Sequence, residues 1–133
     1  MGMLPYFPLA SGLLTGKLRA DSKFEETDHR LFNRHGESFD RGETFSGVDY
    51  ETGLKAVEEI RGMVPEGMSM TQFALRWILM FDAVTCAIPG AKNPQQAEEN
   101  VVAAAKPALS RETMGQLRSL YDARIRPLVH HYW

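Results

Sequence analysis

Cysteine is nearly absent: Cys86 is the single one in 133 residues, so no intrachain disulfide can form and a cytosolic setting is the natural expectation. No apolar run approaches the ~20 residues needed to span a bilayer. No basic stretch precedes an apolar one near the N-terminus, so a signal peptide is not indicated. There is no Lys/Arg-rich run either. With 15 basic and 17 acidic side chains and a net charge of −2, the chain lacks the positive field that nucleic acid requires. Internal repeats, low-complexity tracts and interdomain linkers are also missing. What remains is 44% hydrophobic and 24% charged, the composition of one ordinary globular domain.

The most informative stretch is Ala87-Ile88-Pro89-Gly90-Ala91-Lys92-Asn93-Pro94-Gln95-Gln96-Ala97-Glu98-Glu99-Asn100. It reads as a strand end, a tight turn and the first turns of a helix. Asn93 suits the N-cap, Pro94 the first helical position, and Gln96 stands where a capping-box partner belongs. Unpaired N–H groups at that end, the helix dipole and the Lys92 ammonium together make a place for a phosphate. Gln96, Glu99 and Asn100 recur at helical spacing, so one face would offer all three to a single ligand. Capped helices with polar first turns that bind nothing are, however, common.

Earlier in the chain, Leu4-Pro5-Tyr6-Phe7-Pro8-Leu9 is β-prone but holds two prolines, which restricts it to a short strand centred on Tyr6 and Phe7. In Ala10-Ser11-Gly12-Leu13-Leu14-Thr15-Gly16-Lys17, two glycines and small side chains allow backbone to approach a ligand closely. The Walker A spacing is not met.

Residues 18–49 form a long polar connection without sustained helical periodicity; connections of this length are usually functional or disordered. His29 and His35 have no partner at metal-ligand spacing and read as surface residues. Arg30 and Arg34 read as solvated.

Across residues 50–63, Leu54, Val57, Ile60 and Met63 or Val64 trace an amphipathic helix with Lys55, Glu58, Glu59 and Arg61 toward water. A more buried helix starts at Ser69 or Thr71 and carries Phe73, Ala74, Trp77, Ile78 and Met80 as core. Val84-Thr85-Cys86-Ala87-Ile88 reads as a parallel strand covered on both faces, with Cys86 an inert packed thiol. The helix after Asn93 runs to about Ala105 with Val101, Val102 and the alanines inward. A last helix, capped by Ser110, carries Met114, Leu117, Leu120, Tyr121 and Ile125 and ends before Pro127. The adjacent His130 and His131 point opposite ways on most backbones, a poor start for a metal site.

Two of these stretches resemble hallmarks of the aldo-keto reductases. The Ile88-Pro89-Gly90 turn followed by Gln96, Glu99 and Asn100 resembles the family's last strand–helix junction. The segment from Tyr6 to Lys17 resembles the loop after its seventh barrel strand. They stand in the family's order, about seventy residues apart.

The resemblance covers essentially the whole chain and implies an α/β fold: part of a TIM (β/α)8 barrel, predominantly helical, with two short parallel strands and about four helices as a single partial domain. A complete barrel takes ~250 residues. The resemblance implies NADP(H) as cofactor, weakly held by this chain alone. Phe7, Pro8, Leu9, Ala10, Ser11, Gly12 and Lys17 would lie along the pyrophosphate; Gly90, Lys92, Gln96, Glu99 and Asn100 would surround the 2′-phosphate and adenine. Residues 18–49 would fold over the cofactor as a strap, bringing Arg30 or Arg34 near a phosphate. The family's catalytic Asp, Tyr, Lys and His have no counterpart in these residues, because Tyr6, Tyr50, Tyr121 and Tyr132 all lack the catalytic sequence context.

The implied protein is therefore a cofactor-gripping part without a chemical part. Its partners would be a chain carrying the first six βα units, or a second copy covering two open sheet edges. The competing expectation is a non-catalytic helical module that oligomerises through exposed apolar faces. A helix-turn-helix reading of residues 50–80 fails on charge, since the second helix offers bases only Arg76.

Overall fold

The computed structural model describes residues 2–5 and 7–132. Six α-helices carry it: α1 (His29–Phe32), α2 (Tyr50–Arg61), α3 (Met70–Ile78), α4 (Pro94–Ala105), α5 (Arg111–Leu120) and α6 (Arg126–Val129). Three-residue 3-10 turns stand at Leu13–Thr15, Arg41–Glu43, Phe45–Gly47 and His130–Tyr132. No helix among the described residues is long and apolar enough to cross a membrane.

The helix starts follow from their caps. Asp49 accepts from the Thr52 N–H at 3.0 Å, Asn93 from Gln96 at 2.9 Å and Ser110 from Thr113 at 3.0 Å. At α3 the cap is Ser69 rather than Thr71, in a reciprocal box: Ser69 Oγ accepts from the Gln72 N–H and Gln72 Oε1 from the Ser69 N–H, both at 3.1 Å. Such caps are worth ~1 kcal/mol each.

Helix α3 is central. Met70 joins Leu13, Phe45 and Val57 in one buried cluster, and Phe73 joins Leu109 and Leu117 in a second. Helix α4 lies against α3, and Ala103 is its fully buried residue. Gly53 of α2 is needed for close approach, since a Cβ there would stand 2.6 Å from Leu13 Cδ2.

Strand pairing is reduced to its minimum. Among the described residues one parallel bridge, Met3 to Val84, is formed. Met3 donates to Ala83 O and accepts from the Thr85 N–H, each at 2.9 Å, and Ile88 donates to Pro5 O at 3.2 Å. The first extended segment is thus Met3 to Pro5, not one centred on Tyr6 and Phe7: Phe7 already has a left-handed φ of 56°, and Tyr6 lies outside the described residues.

Three expectations about burial are corrected. Cys86 is exposed and Ile88 is 56% exposed, so the second segment is not covered on both faces. Val101 and Val102 are exposed at 73% and 44%; the small Ala103, not the valines, is the buried residue. Trp77 is 36% exposed and stacks edge-on against Phe81 with centroids 4.9 Å apart, rather than completing the core.

The last helix does not stop before Pro127. After Leu120 it widens into a π turn over Tyr121–Ile125, where the Arg126 N–H reaches Tyr121 O, and helical geometry resumes with Pro127 in the first turn of α6. Proline has no N–H to donate and its ring crowds the carbonyl four residues back, a conflict that the wider upstream turn relieves.

Candidate functional site

Because the bridge is parallel, the segments after Pro5 and after Ile88 leave from the same end of the paired backbone. In parallel α/β arrangements that end is where ligands sit.

The first connection is strained. Phe7, Ala10 and Ser11 take left-handed φ values of 56°, 48° and 56°, followed by Gly12 at 90°, a conformation that disfavours each non-glycine by about 1 kcal/mol. Overlapping turns hold it, with Ala10 donating to Phe7 O, and Gly12 and Leu14 both donating to Leu9 O. Ser11 ties it to the long connection, its hydroxyl donating to Glu43 O and accepting from the Phe45 N–H, each at 3.2 Å. Pro8 and Leu9 are half-buried; Lys17 is exposed, and its backbone N–H donates to Thr15 Oγ1 at 3.3 Å.

Residues 18–49 pack onto this loop as an ordered strap. Phe45 is 1% exposed, with Tyr50 5.0 Å and Phe24 6.3 Å away between ring centroids. Arg30 and Arg34 are not freely solvated: their guanidinium carbons lie 4.6 and 5.5 Å from the Phe24 centroid, and Arg34 also lies 4.9 Å from that of Tyr50. Arg30 donates to Asp28 Oδ2 at 2.6 Å and to Ser11 O at 3.4 Å, which brings it over the loop. The buried polar centre is Asn33, whose Oδ1 accepts from the Ser38 and Phe39 N–H groups at 2.8 Å each. Nothing local in the sequence marks Asn33, since its partners lie five or more residues away.

The hydrogen bonds from Arg30 are the chief cause of a lowered Asp28 pKa, from 3.8 to about 2. A carboxyl depressed on folding contributes stability that is complete above its ordinary pKa and lost as pH falls through the folded value. The strap is therefore expected to loosen between pH 3.8 and about 2. Thermal midpoints of wild type and Asp28→Asn, well separated at about pH 5, should converge near pH 2; midpoints that stay equally far apart would show that Asp28 carries no such load.

His29 Nε2 stands 3.5 Å from Ser11 Oγ and its Nδ1 3.7 Å from Asp28 Oδ1. This is no nucleophilic triad, because the Ser11 proton is directed at Glu43 O and the Asp28 carboxylate is held by Arg30. His35 is exposed.

The second connection has the expected helix start with a different network. Gln96 does not close a capping box on Asn93: its Oε1 accepts from the Lys92 N–H at 2.8 Å, one residue further out. Asn100 Nδ2 donates to Gly90 O at 3.2 Å. These two, four residues apart, brace the Gly90-to-Lys92 turn. Glu99 leaves them and accepts from Ser69 Oγ at 2.6 Å, at the start of α3. The three side chains are thus engaged with three different partners.

Lys92 is exposed at the helix start, whose first turn contains no acidic residue. Gly90 has no positive φ, and a Cβ there would meet nothing within 4 Å. Neither backbone conformation nor packing requires glycine, and the outer side of the turn is open to a ligand. The exposed Lys92 side chain and the acid-free first turn give this end of α4 a positive character.

The family model for the aldo/keto reductase family matches residues 1–122. The chain is similar to the L-glyceraldehyde 3-phosphate reductase of Escherichia coli, 34% identical over 118 residues, covering 88% of this chain and 32% of that protein. It is also similar to an NADP(+) aldo-keto reductase of Schizosaccharomyces pombe, 27% identical over 117 residues, with 88% and 32% covered. Among solved structures, a glycerol dehydrogenase from Gluconobacter oxydans superposes with a TM-score of 0.72 and 27% identity over 93% of this chain and 35% of that one. The chain spans about a third of the length of the relatives it matches.

Proposed function

Because the chain belongs to the aldo/keto reductase family, we propose that it is the C-terminal, NADPH-gripping portion of a reductase barrel, with the seventh and eighth βα units and no chemical centre of its own. The observation that carries this is the parallel Met3–Val84 bridge, which sends both motif-bearing connections out at one end. The family generally uses NADP(H). When bound, that cofactor supplies the hydride for carbonyl reduction.

The strained loop from Phe7 to Gly12, with Lys17 beyond it, would lie along the pyrophosphate. The Lys92 ammonium, aided by the positive end of the α4 dipole, would hold the 2′-phosphate over the open side of Gly90. Gln96 and Asn100 act one step back, fixing the shape of that turn, and Glu99 anchors α4 to the start of α3.

Among the described residues, none is assigned to proton delivery in this reading. A carbonyl receiving hydride needs an acid at the developing alkoxide. The Tyr50 hydroxyl donates to Arg19 O at 2.7 Å and Tyr121 is engaged with His130 Nδ1 at 2.9 Å. We assign no catalytic residue here.

The isolated chain is expected to bind NADPH weakly and to show no aldehyde-dependent NADPH oxidation. Adding a chain with the first six βα units should restore it. Turnover by the isolated chain would overturn the proposal, and so would a folded complement that binds it and yet restores nothing. Lys92→Ala should narrow the preference for NADPH over NADH about three- to tenfold, the worth of ~1 kcal/mol for a partly exposed charge pair, in paired fluorescence titrations.

One observation favours a second reading. Met3, Leu4, Ile88 and Val101 are each more than half exposed, as suits a non-catalytic module that self-associates through the open paired segments. Light scattering separates the two: concentration-dependent dimers that never take up a complementing chain support self-association.

A further inference from the structure

The start of α4 has, among the described residues, one side-chain hydrogen bond to another element of the fold. Gln96 and Asn100 bond back to their own turn, at Lys92 and Gly90, and Glu99 alone reaches further, accepting from Ser69 Oγ at 2.6 Å. The other end of the helix is held independently. Lys106 Nζ donates to Gly67 O at 2.6 Å and Arg76 Nε to Pro107 O at 3.2 Å, and the buried Ala103 lies in the last turn. A helix fixed at its C-terminal end and tied by one bond near its start swings about the fixed end once that bond is lost.

Ser69 uses one hydroxyl twice. The oxygen accepts from the Gln72 N–H at 3.1 Å, capping α3, while the proton goes to Glu99. A hydrogen bond to a carboxylate is of the stronger, charge-assisted kind, and this one is partly shielded from water. The next residue supports the other connection. Met70 is buried with Leu13, and its Cγ would lie 3.1 Å from a Cβ placed on Gly16. Adjacent residues at the start of α3 thus carry the Leu13–Thr15 turn and the ligand-facing end of α4.

We propose that Ser69 is a positioning residue: its bond to Glu99 sets the separation between the Leu13–Thr15 turn and the start of α4, so that one dinucleotide reaches both. The identity of that ligand rests on the cofactor reading above; the spacing role rests on the geometry alone.

Two substitutions separate this role from capping. Ser69→Asp keeps an equally good cap and sets a second carboxylate against Glu99; Glu99→Ala removes the tie and leaves the cap untouched. Ser69→Thr retains both functions. Spin labels at the exposed Arg19 and Gln95, in a Cys86→Ser background of the full chain, read the separation by pulsed electron resonance without cofactor. The distance distribution should shift or broaden in Ser69→Asp and Glu99→Ala and stay narrow in Ser69→Thr. Hydrogen exchange at the Phe73 N–H, bonded to Ser69 O at 2.8 Å, should be unchanged in all three, since the cap persists. In paired titrations NADPH, which spans both connections, should bind Ser69→Asp at least about tenfold more weakly, the worth of a hydrogen bond to a charged group. Adenosine 2′,5′-bisphosphate, which needs only the α4 end, should lose much less. Unchanged distances in Ser69→Asp and Glu99→Ala overturn the proposal. A shift in Ser69→Thr as large as in Ser69→Asp overturns it too, because the hydroxyl would then not be what holds α4, and so do equal losses for the two ligands. Distances that shift as expected while neither ligand binds wild type overturn the cofactor reading and support the spacing role.

Discussion

Replacing Asn33 by leucine is expected to lower the stability of the chain by about 3 kcal/mol, although the two side chains have the same number and branching of heavy atoms. Asn33 is completely buried. Its Oδ1 accepts from the Ser38 and Phe39 N–H groups at 2.8 Å, and its Nδ2 donates to Thr44 Oγ1 at 3.3 Å and Asp40 O at 3.4 Å. Leucine would satisfy none of the four. A buried polar group left without a partner costs about 1–3 kcal/mol; Ser38 and Phe39 are exposed enough to recruit water, which limits the loss mainly to Thr44, itself 1% exposed. The damage should spread along a defined route. Thr44 lies between Glu43 and Phe45, the two residues joined to the Ser11 hydroxyl, so loss of Asn33 frees the strap and then the strained loop it holds. Urea unfolding should show the drop, and hydrogen exchange should show protection lost at Ser38, Phe39 and Phe45 before α3. A change under about 0.5 kcal/mol, the scatter of ordinary surface substitutions, would remove Asn33 from its central place.

What was legible in the sequence was what short-range chemistry decides. The Asn93-Pro94 start of α4, the Ser110 start of α5 and the apolar stripe through Leu54, Val57 and Ile60 all depend on residues three or four apart, and all stand where their spacing puts them. The strap was not legible as an ordered body. Its polar ties run from Ser11 to Phe45 and from Asn33 to Thr44, and no periodic pattern encodes contacts of that separation. Burial failed for a related reason. Val101, Val102 and Cys86 are the residue types of an interior, yet whether they are covered depends on what lies against them, and here too little does.

The candidate site divides along the same line. That Lys92 and Gly90 lie beside a capped helix start follows from adjacent residues. That Gln96 would skip Asn93 for the Lys92 N–H, or that Glu99 would turn to Ser69, 30 positions away in sequence, depends on how α4 lies on α3. Helical spacing places side chains on a face but does not say which neighbour reaches them first.

Phe73→Ala should be the most damaging single truncation in the second cluster, with an expected loss of about 3–5 kcal/mol. Phe73 is 1% exposed, on the face of α3 that meets Leu109 and Leu117, with Met63, Met68 and Met114 packed around it. Removing the ring leaves a cavity beneath Leu109 and Leu117, which the surrounding side chains can close only in part. Against a total stability of about 5–15 kcal/mol for a domain, that is about a fifth or more of the whole, and the thermal midpoint should fall by about 10–20 °C. The loss should also be global, unlike that at Asn33. Helix α3 is shared by both clusters through Met70 and Phe73, so loosening it removes the support beneath Leu13 and the loop above it. Circular dichroism melts read the midpoint, and Phe73→Leu, which retains most of the volume, should recover more than half of it. If Phe73→Ala melts within about 2 °C of wild type, the second cluster is not what holds α3 in place.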